Sequence, residues 1–193
     1  MAALVDKIVA VDIEATCWEQ DAPRGEKSDI IEIGVVLLDV RTLKLGTARQ
    51  ILIKPTRSAV SGFCTRLTGI TQEQAANGIG LSEACATLRR EYESDKRLWA
   101  SYGDYDRRMF EKCCEDLDVP YPFGPGHLNV KTLLAVTLGL PCEVNLETAL
   151  GKMGLHFIGR AHCGRDDAVN AGRLLAVLIQ KGRKQSAGKS DDQ

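Results

Sequence analysis

The chain has 193 residues, 44% of them hydrophobic and 26% charged, with a formal net charge of −1. That length suits one domain with a real core and is short for two, and the composition is globular rather than disordered. The near-neutral balance excludes a protein that grips nucleic acid by bulk charge alone, and no apolar run approaches the roughly 20 residues of a membrane span.

Taken in chain order, Ile8 to Ile13 is a short β-branched run that predicts a buried strand. Trp18 to Ser28 is polar, with a proline and a glycine, and predicts a loop. A second strand is expected over Ile30 to Leu38, a turn from Arg41 to Gly46, and a third strand over Gln50 to Ile53, ahead of Pro55. Three strands in close succession predict an antiparallel meander.

Beyond residue 56 the texture changes. Ser61 to Thr71 reads as short helix and loop. A helix is predicted from Ser82, as N-cap, to about Ser94, with Ala84, Cys85, Leu88 and Tyr92 on one apolar face. Arg97 to Ser101 predicts a strand and Tyr105 to Leu117 a helix. Tyr121 to Gly126, with two prolines and two glycines, predicts a loop. Val130 to Leu138 is a predicted helix closed by Gly139 and Pro141, and Leu146 to Met153 a shorter one ending at Gly154. Asp166 to Ile179 is the last predicted helix, with Ala168, Ala171, Leu175 and Leu178 turned inward. From residue 182 the polar composition predicts a disordered tail, which leaves one domain over residues 1–181. Strands first, then strands alternating with helices, predict an α/β fold: a mixed sheet flanked by helices.

The segment Met1 to Asp6 is too short and too soon acidic for a signal peptide, so a cytoplasmic protein is expected. The seven cysteines are odd in number, scattered, and without a Cys-x-x-Cys pair. That pattern speaks against a disulfide framework and against a zinc-binding module; most should be small buried hydrophobes. His127 and His156 have no ligand spacing to another histidine or cysteine and are read as structural.

Chemistry is concentrated elsewhere. Asp12 and Glu14 are two apart in a predicted strand, so both side chains leave the same face. Isolated carboxylates are costly to bury, and two on one face repel each other. A hard divalent cation resolves the repulsion; a solvated strand end would also tolerate them. Asp104 and Asp106 lie just past the strand that ends at Ser101. Asp166 and Asp167 open the last helix. His162 lies five residues before Asp167, which on a regular helix is roughly 140° of rotation. It is therefore expected on a loop folded back beside Asp167.

The segments Asp12-Ile13-Glu14-Ala15-Thr16, Asp104-Tyr105-Asp106 and His162-x-x-x-x-Asp167 resemble, in order, the three motifs of the DEDDh 3′→5′ exonucleases. The resemblance covers residues 6 to 181. It is nearest to the branch of histone-mRNA 3′-end and small-RNA-degrading exonucleases and their bacterial relatives. Phe63 to Ile70, Asn129 to Leu133 and Gly159 to Gly164 support that branch.

The resemblance implies an RNase H-like fold and two divalent ions, Mg²⁺ or Mn²⁺, held by Asp12, Glu14, Asp106 and Asp167. With four carboxylates committed to metal, the rest of the protein carries about +3. His162 would be the general base, a role suited to the side chain that titrates near neutrality. In the family pattern the third ligand follows an aromatic residue, which selects Asp106 over Asp104. The histidine spacing selects Asp167 over Asp166, and the other two aspartates are left to cap their helices.

The implied substrate is the 3′ end of single-stranded RNA, with DNA as the alternative. A catalytically inactive nucleic-acid-binding module is the other alternative. Ala15 and Thr16, through their backbone, and the segment Leu67, Gly69 and Ile70 are expected to frame the terminal nucleotide; Leu67 and Ile70 read equally well as core. Tyr105 and Trp18 are candidates for stacking on a base. Arg24, Lys27, Arg66, Arg107, Arg108, Arg160 and Arg165 lie near the motifs and are candidates for phosphate contacts.

Overall fold

The two longest β-branched runs of the chain pair with each other. In the computed structural model, whose described residues are 4–187, β1 (Leu4–Ala15) and β2 (Ile30–Asp39) are antiparallel, with Asp12 opposite Gly34 and Glu14 opposite Glu32. β3 (Arg49–Leu52) continues the antiparallel meander on the far side of β2. β4 (Arg97–Ser101) lies on the other side of β1 and parallel to it, and β5 (His127–Asn129) is parallel to β4. The sheet order is β3-β2-β1-β4-β5, which places β1 at the centre.

Seven helices are described: α1 (Gly62–Thr68), α2 (Gln72–Ala76), α3 (Leu81–Tyr92), α4 (Tyr105–Asp116), α5 (Val130–Leu138), α6 (Leu146–Lys152) and α7 (Gly164–Ala187). They cover both faces of the sheet. Val9, Val11 and Ile13 of β1 point to one face, where they meet Leu88 of α3, Phe110 of α4 and Trp99. Ile8 points to the opposite face, where Leu134, Leu150, Leu174 and Leu175 cover it from α5, α6 and α7. Ala10 faces Ala168 of α7 on that same side. With the two-residue period of a strand, Asp12 and Glu14 fall on this second face. They come just where the apolar cover of α7 gives way to the start of that helix.

Several boundaries depart from the sequence expectations. α3 begins at Leu81 with Gly80 at its N-cap, so Ser82 lies inside the helix and does not cap it. α2 was not anticipated, although Thr71 and Gln74 form a complete capping box, itself a sequence signature. β5 is only three residues long and follows directly on the predicted loop. α7 starts at Gly164, earlier than Asp166, and continues to Ala187 through residues expected as tail. Two causes act there. Lys, Arg, Gln and Ala are good helix formers, and the Arg183 guanidinium donates to the carbonyls of Val40 (2.6 Å) and Arg41 (3.4 Å), tying the late turns to the end of β2. Residues 188–193, the rest of the expected tail, lie outside the described residues, as do residues 1–3. Among the described residues no helix is long and apolar enough to cross a membrane.

Candidate active site

Asp12 and Glu14 on β1 and Asp167 on α7 each offer a carboxylate oxygen, and the three oxygens lie within 4.8 Å of one another. Asp106, in the first turn of α4, is buried beside them; its Oδ1 accepts the backbone N–H of Ile13 at 2.9 Å. That bond fixes α4 to β1 at the residue between Asp12 and Glu14. Asp104 stands at the N-cap position of α4 without a capping hydrogen bond. It turns outward, toward Arg107 (3.5 Å) and His127 (3.8 Å). The geometry therefore brings in Asp106 and leaves Asp104 out.

A similar division holds at α7. Asp166 accepts the Arg160 N–H at 2.9 Å and pairs with the Arg165 guanidinium at 3.0 Å. Asp167 instead faces the cluster and accepts the His162 N–H through Oδ2 at 2.8 Å. His162 has a φ of 60°, left-handed for a residue with a Cβ. It sits on the exposed loop ahead of α7, folded back beside Asp167.

The cluster is electrostatically unfinished. Burial, then repulsion from Asp106, Asp167, Glu14 and Glu32, pushes the Asp12 carboxyl well above the usual carboxylate range. Burial, then Glu32, pushes Glu14 up to about 8, opposed by Arg160. Burial also raises Asp106 to about 6 against the lowering effect of the Ile13 N–H. It raises Asp167 to about 6 against the His162 N–H. An all-oxygen donor set that repels itself in a partly buried cleft is the environment a hard divalent cation satisfies. The four residues fit a metal centre on this ground.

A pH dependence follows. These carboxyls titrate higher folded than unfolded, so between the ordinary carboxylate range and about 8 the folded state holds protons that the unfolded state has released. Their contribution to stability is full at the acid end of that window and is lost as the pH rises through it. In EDTA the unfolding temperature is expected to be lower at about pH 8 than at about pH 5.5. The fall should be smaller in Glu14→Gln, and Mn²⁺ should recover the loss at pH 8. A wild-type unfolding temperature that climbs over this interval would contradict the electrostatics of the cluster.

The carboxylates and His162 open into a cleft of about 510 Å³. Ala15, Leu67 and Tyr105, expected to frame a nucleotide, line it. Thr16, Gly69 and Ile70 do not. The Thr16 hydroxyl accepts the Asp29 N–H at 2.8 Å, and its own N–H donates to the Asp29 carbonyl, so it serves the loop beneath the site. α1 ends at Thr68, and Gly69, with a φ of 74°, reverses the chain at its C-cap. Ile70 is thereby carried into a small core with Ile31, Val60 and Cys64. Gly69 has a different use: a Cβ there would lie 1.8 Å from the Arg160 guanidinium. Arg160 passes over it to donate to the carbonyls of Thr68 (3.2 Å) and Leu67 (2.9 Å). This ties the Leu67 wall to the His162 loop.

Asn145, Leu146, Glu147, Phe157 and Tyr102 also line the cleft. Sequence reasoning missed these residues. Leu146 was legible only as a helix start, and nothing in its spacing tied it to Asp12. Of the candidate phosphate contacts, Lys27 pairs with Asp116 (3.3 Å) and Arg165 with Asp166. Trp18 does not line the cleft. His127 is structural, its ring tilted against that of Trp99 with centroids 4.2 Å apart and bonded to the Ser101 hydroxyl at 2.9 Å.

A mixed sheet of this order, with four carboxylates converging at the carboxyl end of its central strand, defines an RNase H-like nuclease. The chain belongs to the RNase T exonuclease family, whose pattern matches residues 9–175. It is similar to the 3′-5′ exonuclease Snipper of Drosophila melanogaster, with 29% identity over 198 residues that cover 91% of this chain and 70% of that protein. It is also 30% identical over 188 residues to human 3′-5′ exoribonuclease 1. That match covers 92% of this chain and 53% of the human protein, so the chain spans about half the length of that relative. Among solved structures, the nuclease domain of 3′hExo, a DEDDh family member bound to rAMP, superposes with a TM-score of 0.84 at 29% identity, covering 94% of this chain and 96% of that domain. Divalent-metal chemistry is the rule in this family, and the acidic cluster is placed for it.

Proposed function

We propose that this protein is a 3′→5′ exoribonuclease that releases nucleoside 5′-monophosphates from single-stranded 3′ ends. Asp12, Glu14, Asp106 and Asp167 would hold two Mg²⁺ or Mn²⁺ ions, and His162 would act as general base. The observation that carries this reading is the convergence of four raised-pKa carboxylates and one loop histidine in a single cleft of about 510 Å³. That volume lies in the ordinary range for small-molecule sites and suits one nucleotide.

When bound, the cations lower the pKa of the attacking water and stabilise the charge that develops on the attacking and leaving oxygens. The protein's own part is positional and acid–base. His162 accepts the proton of the attacking water, and its main-chain bond to Asp167 keeps it beside the ligand set. Leu67 and Tyr105 bracket the terminal base from α1 and α4. Ala15, with no side chain beyond Cβ, leaves room for the sugar at the end of β1.

The choice of RNA rests on the relatives: the human one is named an exoribonuclease, and the superposed nuclease domain is bound to a ribonucleotide monophosphate. Matched RNA and DNA oligonucleotides, each with a free or a blocked 3′ end, test it in Mn²⁺. Single-nucleotide shortening of free-ended RNA is expected, with the blocked form spared. Faster loss of DNA would overturn the substrate assignment, and equal loss of blocked and free ends would overturn the polarity.

A further inference from the structure

Glu32 lies near the start of β2, opposite Glu14, and belongs to none of the three motifs. Its side chain is fully buried. A buried carboxylate is expensive without hydrogen bonds, and most of the groups that meet it belong to the start of α7. Oε1 accepts the Arg165 backbone N–H at 3.0 Å, and Cys163 Sγ stands 3.9 Å from the same oxygen. The Gly164 N–H and, from β3, the Gln50 side chain also favour the charged form of this carboxylate. Oε2 is buried without a hydrogen-bond partner. Glu32 thus caps the first turn of α7 from a neighbouring strand. It satisfies N–H groups that a helix start leaves open and places negative charge where the helix dipole favours it.

The backbones press together at the same point. A Cβ at Gly34 would stand 2.0 Å from the carbonyl carbon and oxygen of Gly164, and one at Gly164 would stand 3.2 Å from both the Asp12 carbonyl and the Glu32 carboxylate. The strand therefore meets the helix start with no side chain between them. This turn of α7 carries Asp167, and the loop leading into it carries His162, whose N–H is bound to Asp167.

We propose that Glu32 is a positioning residue for the reaction: by pinning the first turn of α7 onto β1 and β2, it sets where Asp167 and the His162 loop stand relative to Asp12 and Glu14. The role rests on the exonuclease reading above. Leu67 and Tyr105 come from other helices, so substrate grip lies outside it.

The full chain carrying Glu32→Ala or Glu32→Gln tests this on a single-stranded RNA oligonucleotide in saturating Mn²⁺, together with amide hydrogen exchange at Gly164 and Arg165. The Ala variant is expected to lose about 10- to 100-fold in kcat, the usual cost of removing a group that orients a metal ligand. Its KM should stay within about threefold, and both amides should exchange faster. The Gln variant keeps an acceptor oxygen at the same reach and should restore kcat to within about threefold, with the amides protected. Wild-type kcat in the Ala variant would overturn the proposal, and so would a Gln variant as impaired as the Ala variant, since charge rather than the cap would then be at work. If the Ala variant does not fold, Glu32→Asp replaces it. Its shorter arm withdraws the acceptor and should lower kcat; an unchanged kcat would sink the idea. Wild-type hydrolysis in the same assay judges the exonuclease reading separately, and the exchange at Arg165 reports on the cap even if that reading fails.

Discussion

Asp12→Ala is expected to abolish metal-dependent hydrolysis, by at least about 10³-fold, while raising the unfolding temperature of the metal-free protein. Both effects come from one cause. Asp12 stands at the centre of the cluster, facing Asp106, Asp167, Glu14 and Glu32, and its charged form is strongly disfavoured there. Without a cation, that carboxyl opposes folding at neutral pH. The neighbouring Glu14, raised from 4.5 to about 8, indicates the scale, on the order of 3 kcal/mol at pH 7. An alanine removes the repulsion and leaves the apolar neighbours Val11 and Ile13 in place. A rise of about 3 °C or more in EDTA is expected for a chain of this size, together with loss of the stabilisation that Mn²⁺ gives the wild type. Thermal unfolding with and without Mn²⁺, beside an oligonucleotide assay, measures both. Hydrolysis within about tenfold of wild type would refute the four-carboxylate site.

His162→Ala should separate chemistry from metal binding. The side chain is on an exposed loop, so little packing is lost. The contact that holds the loop is made by the His162 backbone N–H to Asp167, and alanine keeps it. A fall in kcat of about 10²- to 10⁴-fold is expected for loss of a general base, with Mn²⁺ affinity and unfolding temperature close to wild type. Single-turnover kinetics and calorimetric titration with Mn²⁺ check the two halves. A parallel collapse of Mn²⁺ affinity would show that His162 belongs to the ligand set instead.

The residues of the chemistry were legible because their signals are local. Asp12 and Glu14 share a strand face by the two-residue period alone. The offset of His162 from Asp167 is awkward for a helix and natural for a loop, which is where the structure puts it. The nucleotide-framing residues were less legible. Leu67, Gly69 and Ile70 are neighbours in sequence, yet the C-cap at Gly69 turns the chain so that Leu67 faces the cleft and Ile70 enters the core. Propensity does not say on which side of such a reversal a side chain falls. Asn145, Leu146, Glu147 and Phe157 are brought to the cleft by the packing of α6 against α5 and α7, and no spacing encodes that.

Asp12 and Glu14 mark the division. By itself the sequence determined that two carboxylates leave one strand face, that more acids and a histidine follow in a set order, and that a mixed sheet with helices carries them. Motif resemblance and the spacing from His162 already selected one aspartate of each pair, and the tertiary structure supplies the physical cause: the Ile13 N–H reaches Asp106 and not Asp104, and the Arg160 N–H holds Asp166 away from the cluster. It also decided that Glu32, unmarked in sequence, stands beneath the start of α7. The physical reason is common to all of these: a carboxylate's role is set by the N–H groups and charges within a few ångströms of it, and most of those arrive from distant parts of the chain.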